Sequence, residues 1–592
     1  MTAEQSILER NGYTPDKKTI KDNSVVATKG GDKFLIKKIT SHQETTIKMR
    51  AEQSILERNG YTPDKKTIKD NSVVATKGGD KFLIKKITSH QTSGSADLDS
   101  EIEILSTISH PHIVSCKNSF KGNNTHYVVM NYCEGGSLAA KIREGQPNHE
   151  SQVLSWIVEI CVALKTIHEK GLIHKNLTPE NVFLTEFGTV CLGDLGKINK
   201  NCSTSTQSTT NQTINYLAPE VFPKGTYDAK SDIWSLGCLL YELCTLKPAF
   251  SAGAATKLMP TITGGHLPSL TEPFSPELRE LLNDMLSRNP QSRPTASEIL
   301  QCPIMINCLS EKCKSTVETL QKKLGDLRGL ADGLERVHQG TTFGSLAGGV
   351  IGAAGGITSI VGLVLAPFTL GTSLIVTGVG VGVGVLGGVT AGVSNITKMA
   401  NQSADRKAVR RIIKEFEEKI NAVVIWLQEL MGILHTINSR FATEQRQFNK
   451  DNLLRLNAGI RAGRGLVGIA ELARLAQVIN IGKIAAQASR AVRVAQTLTG
   501  VFSALFVAVD IFFITMDAKE IHHIRQAQAA EDTGTSSSES ESSQNKTPVR
   551  SEVMKFVRSI RQAADNLQKV LDELKGIISS LPSVQDKGAS WS

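Results

Sequence analysis

The side chains of this chain best placed to do chemistry are few, and they sit within short apolar runs. In "LIHKNLTPENVFL", residues 172–184, Asn176 and Asn181 offer amides and Thr178 a hydroxyl. An amide at position 176 can accept a hydrogen bond but cannot take up a proton. It therefore cannot act as a general base, a role typically worth about 10²–10⁴ in rate. A different chemistry is readable farther along. Asp510 is the lone charge in "LTGVFSALFVAVDIFFITM", 498–516. Such a group is costly in lipid unless paired, and intramembrane ionisable residues tend to be functional. Lys519 and Arg490 are the cations on offer to it. Gly348, Gly352 and Gly356 recur every four residues, as do Gly380, Gly384 and Gly388. Small residues at that spacing let helix backbones approach closely in a bilayer.

A chain of 592 residues has room for several domains to position these groups. The net charge of +10 suits an acidic surface or simple solubility. Without a compact Lys/Arg block interleaved with aromatics, nucleic acid is not an expected partner. All ten cysteines lie between Cys116 and Cys313, with neither zinc spacing nor a short disulfide framework, as expected for free thiols in a reducing compartment. The polar start "MTAEQSILERNGYTPDKK" is neither a secretory signal nor a transit peptide, which points to a cytoplasmic protein that meets membranes from the cytosolic side.

The order of elements begins with an anomaly. Residues 3–43 recur letter for letter at 51–91. Solenoid repeats keep core positions while their surfaces vary, and they come in threes or more, so an identical pair is no array. Each copy carries a β-type run, "KFLIKKI", after a Gly-Gly turn. Only the second copy leads into the next helix, so the fold is assigned to it and copy one, 1–50, is expected to lack a partner sheet. From 58 to 305 short apolar runs alternate with helical patterns. A charged amphipathic helix follows at 314–336, and no Asp, Glu, Lys or Arg occurs between Arg336 and Lys398. Within that window Pro367 divides two Gly-rich apolar segments, and the hairpin they predict spans 344–395. Helices are expected at 402–420 and 421–442, a basic helical region at 452–493, and a low-complexity linker at 531–550. An amphipathic helix closes the order at 551–581.

The first half resembles the protein kinases, and the wording of "YVVMNYCEGGSL", 127–138, is similar to the NIMA-related (NEK) group. The resemblance implies an α+β bilobal fold and a role for each matched residue. Lys85 in "FLIKKI" would hold the α- and β-phosphates of ATP, Glu101 in "SEIEILSTISHPHIV" would pair with it, and Met130 takes the gatekeeper position. Asn181 and Asp194, in "GDLGK", would hold Mg²⁺. Thr213 belongs to the activation segment, and Glu220 and Arg293 would form a buried ion pair. Asn176 stands at the position of the catalytic Asp, and Thr178 at that of the catalytic-loop Lys. The stretch "TIKDNSVVATKGGDKF" has no glycine before Gly78 and Gly79, so side chains of Lys69, Asp70 and Asn71 would crowd the phosphates. These departures argue for a pseudokinase and against ATP and Mg²⁺ as working cofactors. The matched residues serve equally as a surviving nucleotide site or as an ion-pair network.

The stretch "HQGTTFGSLAGGVIGAAGGITSIVGLVLAPFTLGTSLIV" resembles the apolipoprotein L family, and so does "VDIFFITMDAKEIHHI", 509–524. This resemblance implies a lipid- or membrane-binding helical module over 314–530. A helix of about 23 residues spans about 34 Å, enough for a bilayer core of about 30 Å. A hairpin buried inside a soluble bundle is the alternative, and "GVGVGVGV" also suits a strand.

The expected architecture is thus multidomain. A kinase-like α+β bilobal domain at 51–305 precedes an all-α, partly membrane-insertable domain. The expected partners are a lipid surface, and proteins met through the kinase-like domain and the C-terminal helix. The rival readings are an active, membrane-tethered Ser/Thr kinase and a pore-forming effector.

Overall fold

The computed structural model describes residues 14–20, 24–29, 32–37, 52–69, 72–88, 102–122, 125–146, 148–194, 213–251, most of 258–344, 391–447, parts of 486–511, and 546–580. The chain divides into two compact units, Met1–Ile108 with Ser115–Tyr132, and Ser109–Val114 with Cys133–Ser592.

The first unit holds two antiparallel sheets. In the smaller, β1 (Thr14–Ile20), β2 (Ser24–Lys29) and β3 (Asp32–Lys37) form a meander. Copy one of the repeat thus pairs its own three strands with one another and joins no strand of the larger sheet. Its own hairpins pair in the same register as their duplicates, Val25 with Ile36 just as Val73 with Ile84. Pairing this local needs no distant strand. The larger sheet runs β4-β5-β6-β8-β7, with β4 at Thr62–Lys69, β5 at Ser72–Lys77, β6 at Asp80–Thr88, β7 at Cys116–Gly122 and β8 at Thr125–Asn131. Gly78 and Gly79, both at positive φ (62° and 90°), make the two-residue turn from β5 to β6. Glycine reaches that conformation without steric cost. One face of the sheet buries Val73, Ala75, Ile84, Tyr127 and Val129 against Ile55, Leu56 and Tyr61. These last three come from a short helix at 52–58 and its exit.

The second unit is mainly helical. Its central helix α1 (Glu150–Glu169) is buried nearly all round, with Ile157, Val158, Ile160 and Leu164 fully enclosed. A helix apolar on every side belongs in a core. Two short strands, β9 (Val182–Leu184) and β10 (Val190–Leu192), form a hairpin against it. The helix α2 (Ala229–Thr245) starts at an Asp228 capping box closed by Ser231, and α3 (Pro276–Met285) is capped by Ser275.

Three long helices follow: α4 (Pro303–Gly344), α5 (Ala391–Gln447) and α6 (Lys546–Ser579). The expected helix at 314–336 is the middle of α4, which begins inside the kinase-like region and spans about 60 Å at 1.5 Å per residue. The two helices expected at 402–420 and 421–442 are one, because Ile420-Asn421 offers no breaker. The apolar face expected of the C-terminal helix is present in α6. Phe556, Ile560, Leu567, Leu571, Leu574 and Ile577 are all buried, and α6 packs along α4. Gln321 and Gln568 exchange hydrogen bonds of 2.9 and 3.0 Å across that seam, so α6 spends its apolar face within the chain.

Among the described residues, Val409–Ile437 of α5 is long and apolar enough to cross a membrane by length and composition, and 61% of its most apolar window is buried in the chain. The expected hairpin at 344–395, with Gly348, Gly352, Gly356, Pro367, Gly380, Gly384 and Gly388, lies outside the described residues apart from its two ends.

Candidate nucleotide and metal site

The loop "LIHKNLTPENVFL" is organised by one buried carboxylate. Asp232, near the start of α2 and 1% exposed, accepts the backbone N–H groups of His174 (2.8 Å) and Lys175 (2.9 Å). It also takes Nε2 of His168 at 2.8 Å. These bonds hold Lys175 in the left-handed region, at φ 67°, where an L side chain is strained by about 1–3 kcal/mol. Asp194 is also left-handed, at φ 61°. Both strained residues flank Asn176 in space, as expected where surrounding structure over-determines a functional loop.

Asn176 turns its amide toward Asp194, and Nδ2 donates to Oδ2 over 3.2 Å. Asn181 donates from Nδ2 to the Asn176 carbonyl at 2.9 Å and to Thr178 Oγ1 at 3.4 Å. Its backbone carbonyl accepts from Gly193 N at 2.9 Å. Asn176, Thr178, Asn181 and Asp194 therefore converge, as the sequence predicts. Thr178 is 4% exposed and supplies a hydroxyl where the family motif has a cation. With both amide hydrogen-bonding directions set by these contacts, Asn181 Oδ1 and the Asp194 carboxylate are the oxygens that suit a hard divalent cation. His174 is fully buried. Burial lowers its pKa despite the carboxylates of Asp232 and Asp194, so it stays neutral at physiological pH.

Glu220 and Arg293 form the expected ion pair, bidentate at 2.7 and 2.8 Å, with Arg293 1% exposed. Burial pushes the Glu220 pKa up, but the bonds from Arg293 outweigh it and the group sits below the usual carboxylate range. The guanidinium also lies over Trp234, 5.0 Å from the ring centre. This pair ties the end of the activation segment to the lobe and takes no part in chemistry.

In the first unit Lys85 lies on β6 opposite Ser72 and Val128, and Met130 lies on β8 opposite Leu83. Glu101, Asp70, Asn71 and the side chains of Lys69 and Thr213 lie outside the described residues, although the Thr213 backbone opens a 3-10 turn, Thr213–Tyr216. Of the two cations the sequence offers Asp510, Lys519 lies outside the described residues. Asp510 pairs with Arg410 of α5, at 3.1 Å. The partner lies 100 residues upstream because the length of α5 carries Arg410 alongside.

A second polar cluster escaped sequence reasoning. His112 is fully buried, takes the indole N–H of Trp426 on Nε2 at 2.7 Å, and places Nδ1 2.9 Å from the Val190 carbonyl. Beside it Glu159 accepts from Val190 N at 2.7 Å and pairs with Lys312 at 2.7 Å. Burial raises the Glu159 pKa, but Lys312 and its other donors overcome this and hold it low. The available signal was one acidic residue inside the otherwise apolar run "WIVEICVAL".

Residues 69–305 match the protein kinase domain family, and residues 311–546 match apolipoprotein L. Mouse serine/threonine-protein kinase Nek1 is 43% identical over 204 residues, 34% of this chain and 17% of its own. Mouse Nek4 is 42% identical over 217 residues, covering 36% and 27% respectively, and human Nek2 is 36% identical over 241, covering 39% and 54%. The match thus spans from about a sixth to about half of each of these kinases. The chain carries a Nek-like kinase domain, with a sheet lobe and a helical lobe, followed by a helical apolipoprotein L domain.

Proposed function

We propose that this chain, a Nek-like kinase domain joined to an apolipoprotein L domain, uses its kinase fold for signalling or scaffolding rather than for phosphoryl transfer, and its helical domain for lipid or membrane binding at the cytosolic face. The observation that carries the first part is the bond from Asn176 to Asp194. The side chain at the base position is a donor committed to a neighbouring carboxylate, and it has no site for a substrate proton. Phosphoryl transfer depends chiefly on positioning and charge neutralisation, so loss of a base alone lowers the rate without abolishing it. Thr178 removes a positive charge from the same centre, and the two changes act in one direction.

Protein kinases use ATP with Mg²⁺, and the oxygens of Asn181 and Asp194 fit such an ion. Those two residues would hold it, and the bound ion would neutralise phosphate charge. A kinase fold that binds nucleotide without turnover can still change shape with it. The lipid reading is supported by the charge-free window between Arg336 and Lys398. The cytosolic assignment draws support from nine described cysteines that stand as thiols, several of them buried.

Two assays test this. A thermal-shift titration of the full chain with Mg·ATP, read beside phosphate transfer to a model peptide, should show binding without transfer. Flotation of the full chain with vesicles of phosphatidylcholine and phosphatidylserine should carry it to the lipid layer. A chain left in the soluble fraction refutes the lipid reading.

A further inference from the structure

Asn181 and Asp194 ride on the same small hairpin. Asn181 immediately precedes β9 and Asp194 follows β10 by two residues, and Gly193 N to Asn181 O ties the open end together. The strands between them pair Val182 with Leu192, Phe183 with Cys191 and Leu184 with Val190. A hairpin this short moves as one piece, so whatever holds its turn sets the direction in which its open end points.

Helix α5 of the apolipoprotein L domain holds the turn. Thr185 accepts the turn's own N–H groups, from Phe187 (3.3 Å) and Thr189 (3.0 Å), and donates its hydroxyl to Glu418 of α5 at 2.6 Å. Lys419 donates to Thr189 Oγ1 at 3.1 Å, and Arg411 pairs with Glu186. One side of β10 is held through His112, which links Trp426 to the Val190 carbonyl and accepts Leu192 N on its own backbone oxygen at 2.9 Å. The bond from Trp426 fixes His112 as the neutral tautomer with its proton on Nδ1. We infer that α5 is a clamp on the β9–β10 hairpin, through which the apolipoprotein L domain sets the position of Asn181 and Asp194. Glu418 and Trp426 are then positioning residues that act through the hairpin. The coupling is reciprocal, since any energetic link between two sites runs both ways. It rests on the fold and on the domain assignment, and holds whether or not the site transfers phosphate.

The test is amide hydrogen exchange of the full chain, read by mass spectrometry. Glu418→Ala and Trp426→Phe should each speed exchange in peptides covering 172–181 and 193–194 by about tenfold, within the span typical of allosteric coupling. Glu418→Gln keeps an acceptor for Thr185 and should restore the wild-type rate. Reciprocally, Asp194→Ala should speed exchange in peptides covering 411–426. Trp426→Phe keeps the ring in place and carries the test alone should Glu418→Ala fail to fold. Faster exchange confined to α5 and the turn at 185–189, with 172–181 unchanged, overturns the inference. So does a Glu418→Gln variant that behaves like Glu418→Ala.

Discussion

Asn176→Asp is the change that would restore the missing base, and the geometry sets what it costs. The new carboxylate would stand where Asn176 Nδ2 now lies, 3.2 Å from Asp194 Oδ2. After the two side chains swing apart to about 5 Å, two unit charges at an effective dielectric of about 20 repel by about 3 kcal/mol. The variant should therefore be about 3 kcal/mol less stable than wild type at neutral pH in metal-free buffer. For a urea slope of about 2–3 kcal/mol/M the unfolding midpoint of the helical lobe falls by about 1–1.5 M. Tryptophan fluorescence follows this, since Trp156 and Trp234 are buried in that lobe. Millimolar Mg²⁺ should return most of the loss in the variant and change the wild type far less, because a divalent cation turns two repelling carboxylates into ligands. Equal midpoints for the two proteins in metal-free buffer would refute the placement of Asn176 against Asp194.

Other perturbations give separate readouts. Glu220→Ala leaves the buried Arg293 guanidinium uncompensated and should cost about 3–5 kcal/mol, measured by urea unfolding, with Glu220→Gln costing less. Stability should also fall with acidification. Burial lowers the pKa of His112 and His174, and burial with the nearby His112 lowers that of His110 to about 3. The unfolded chain thus binds more protons below about pH 6.5, and stability drops there by up to about 1.4 kcal/mol per pH unit for each histidine. Glu418 and Glu242 have raised pKa values through burial and soften the loss as they take up protons. Unfolding midpoints at about pH 7.5 and about pH 5.5 check this, and a flat profile contradicts it.

The parts of this molecule readable in sequence are those whose spacing is fixed by a local element. The loop around Asn176 and Asn181, the strand with Lys85 and the helix start with Asp232 each occupy one short stretch, and their order reveals the fold. The Glu220–Arg293 pair was legible through its motifs, although 73 residues separate the two. Trp426 and His112 were not, because they stand 314 positions apart and nothing local in either stretch names the other. Asp510 shows the same limit. Charge balance demanded a cation, but which one depended on a 57-residue helix that sequence patterning had broken in two. The boundary between the domains was blurred for a related reason. The kinase match ends at 305 and the apolipoprotein L match begins at 311, while α4 runs through both without a break. A repeat pattern that reads as redundant can also fold, as copy one does, when its pairing is wholly local.

The central claim is that the kinase domain does not transfer phosphate at a kinase rate. The direct measurement is transfer of labelled phosphate from Mg·ATP to Ser/Thr peptides by the purified full chain, beside the Asn176→Asp/Thr178→Lys double variant. The wild type should show transfer lower than the usual kinase turnover of about 1–100 s⁻¹ by a factor of at least about 10², and the double variant should exceed it. Wild-type turnover within that range, abolished by Asp194→Ala, would contradict the account.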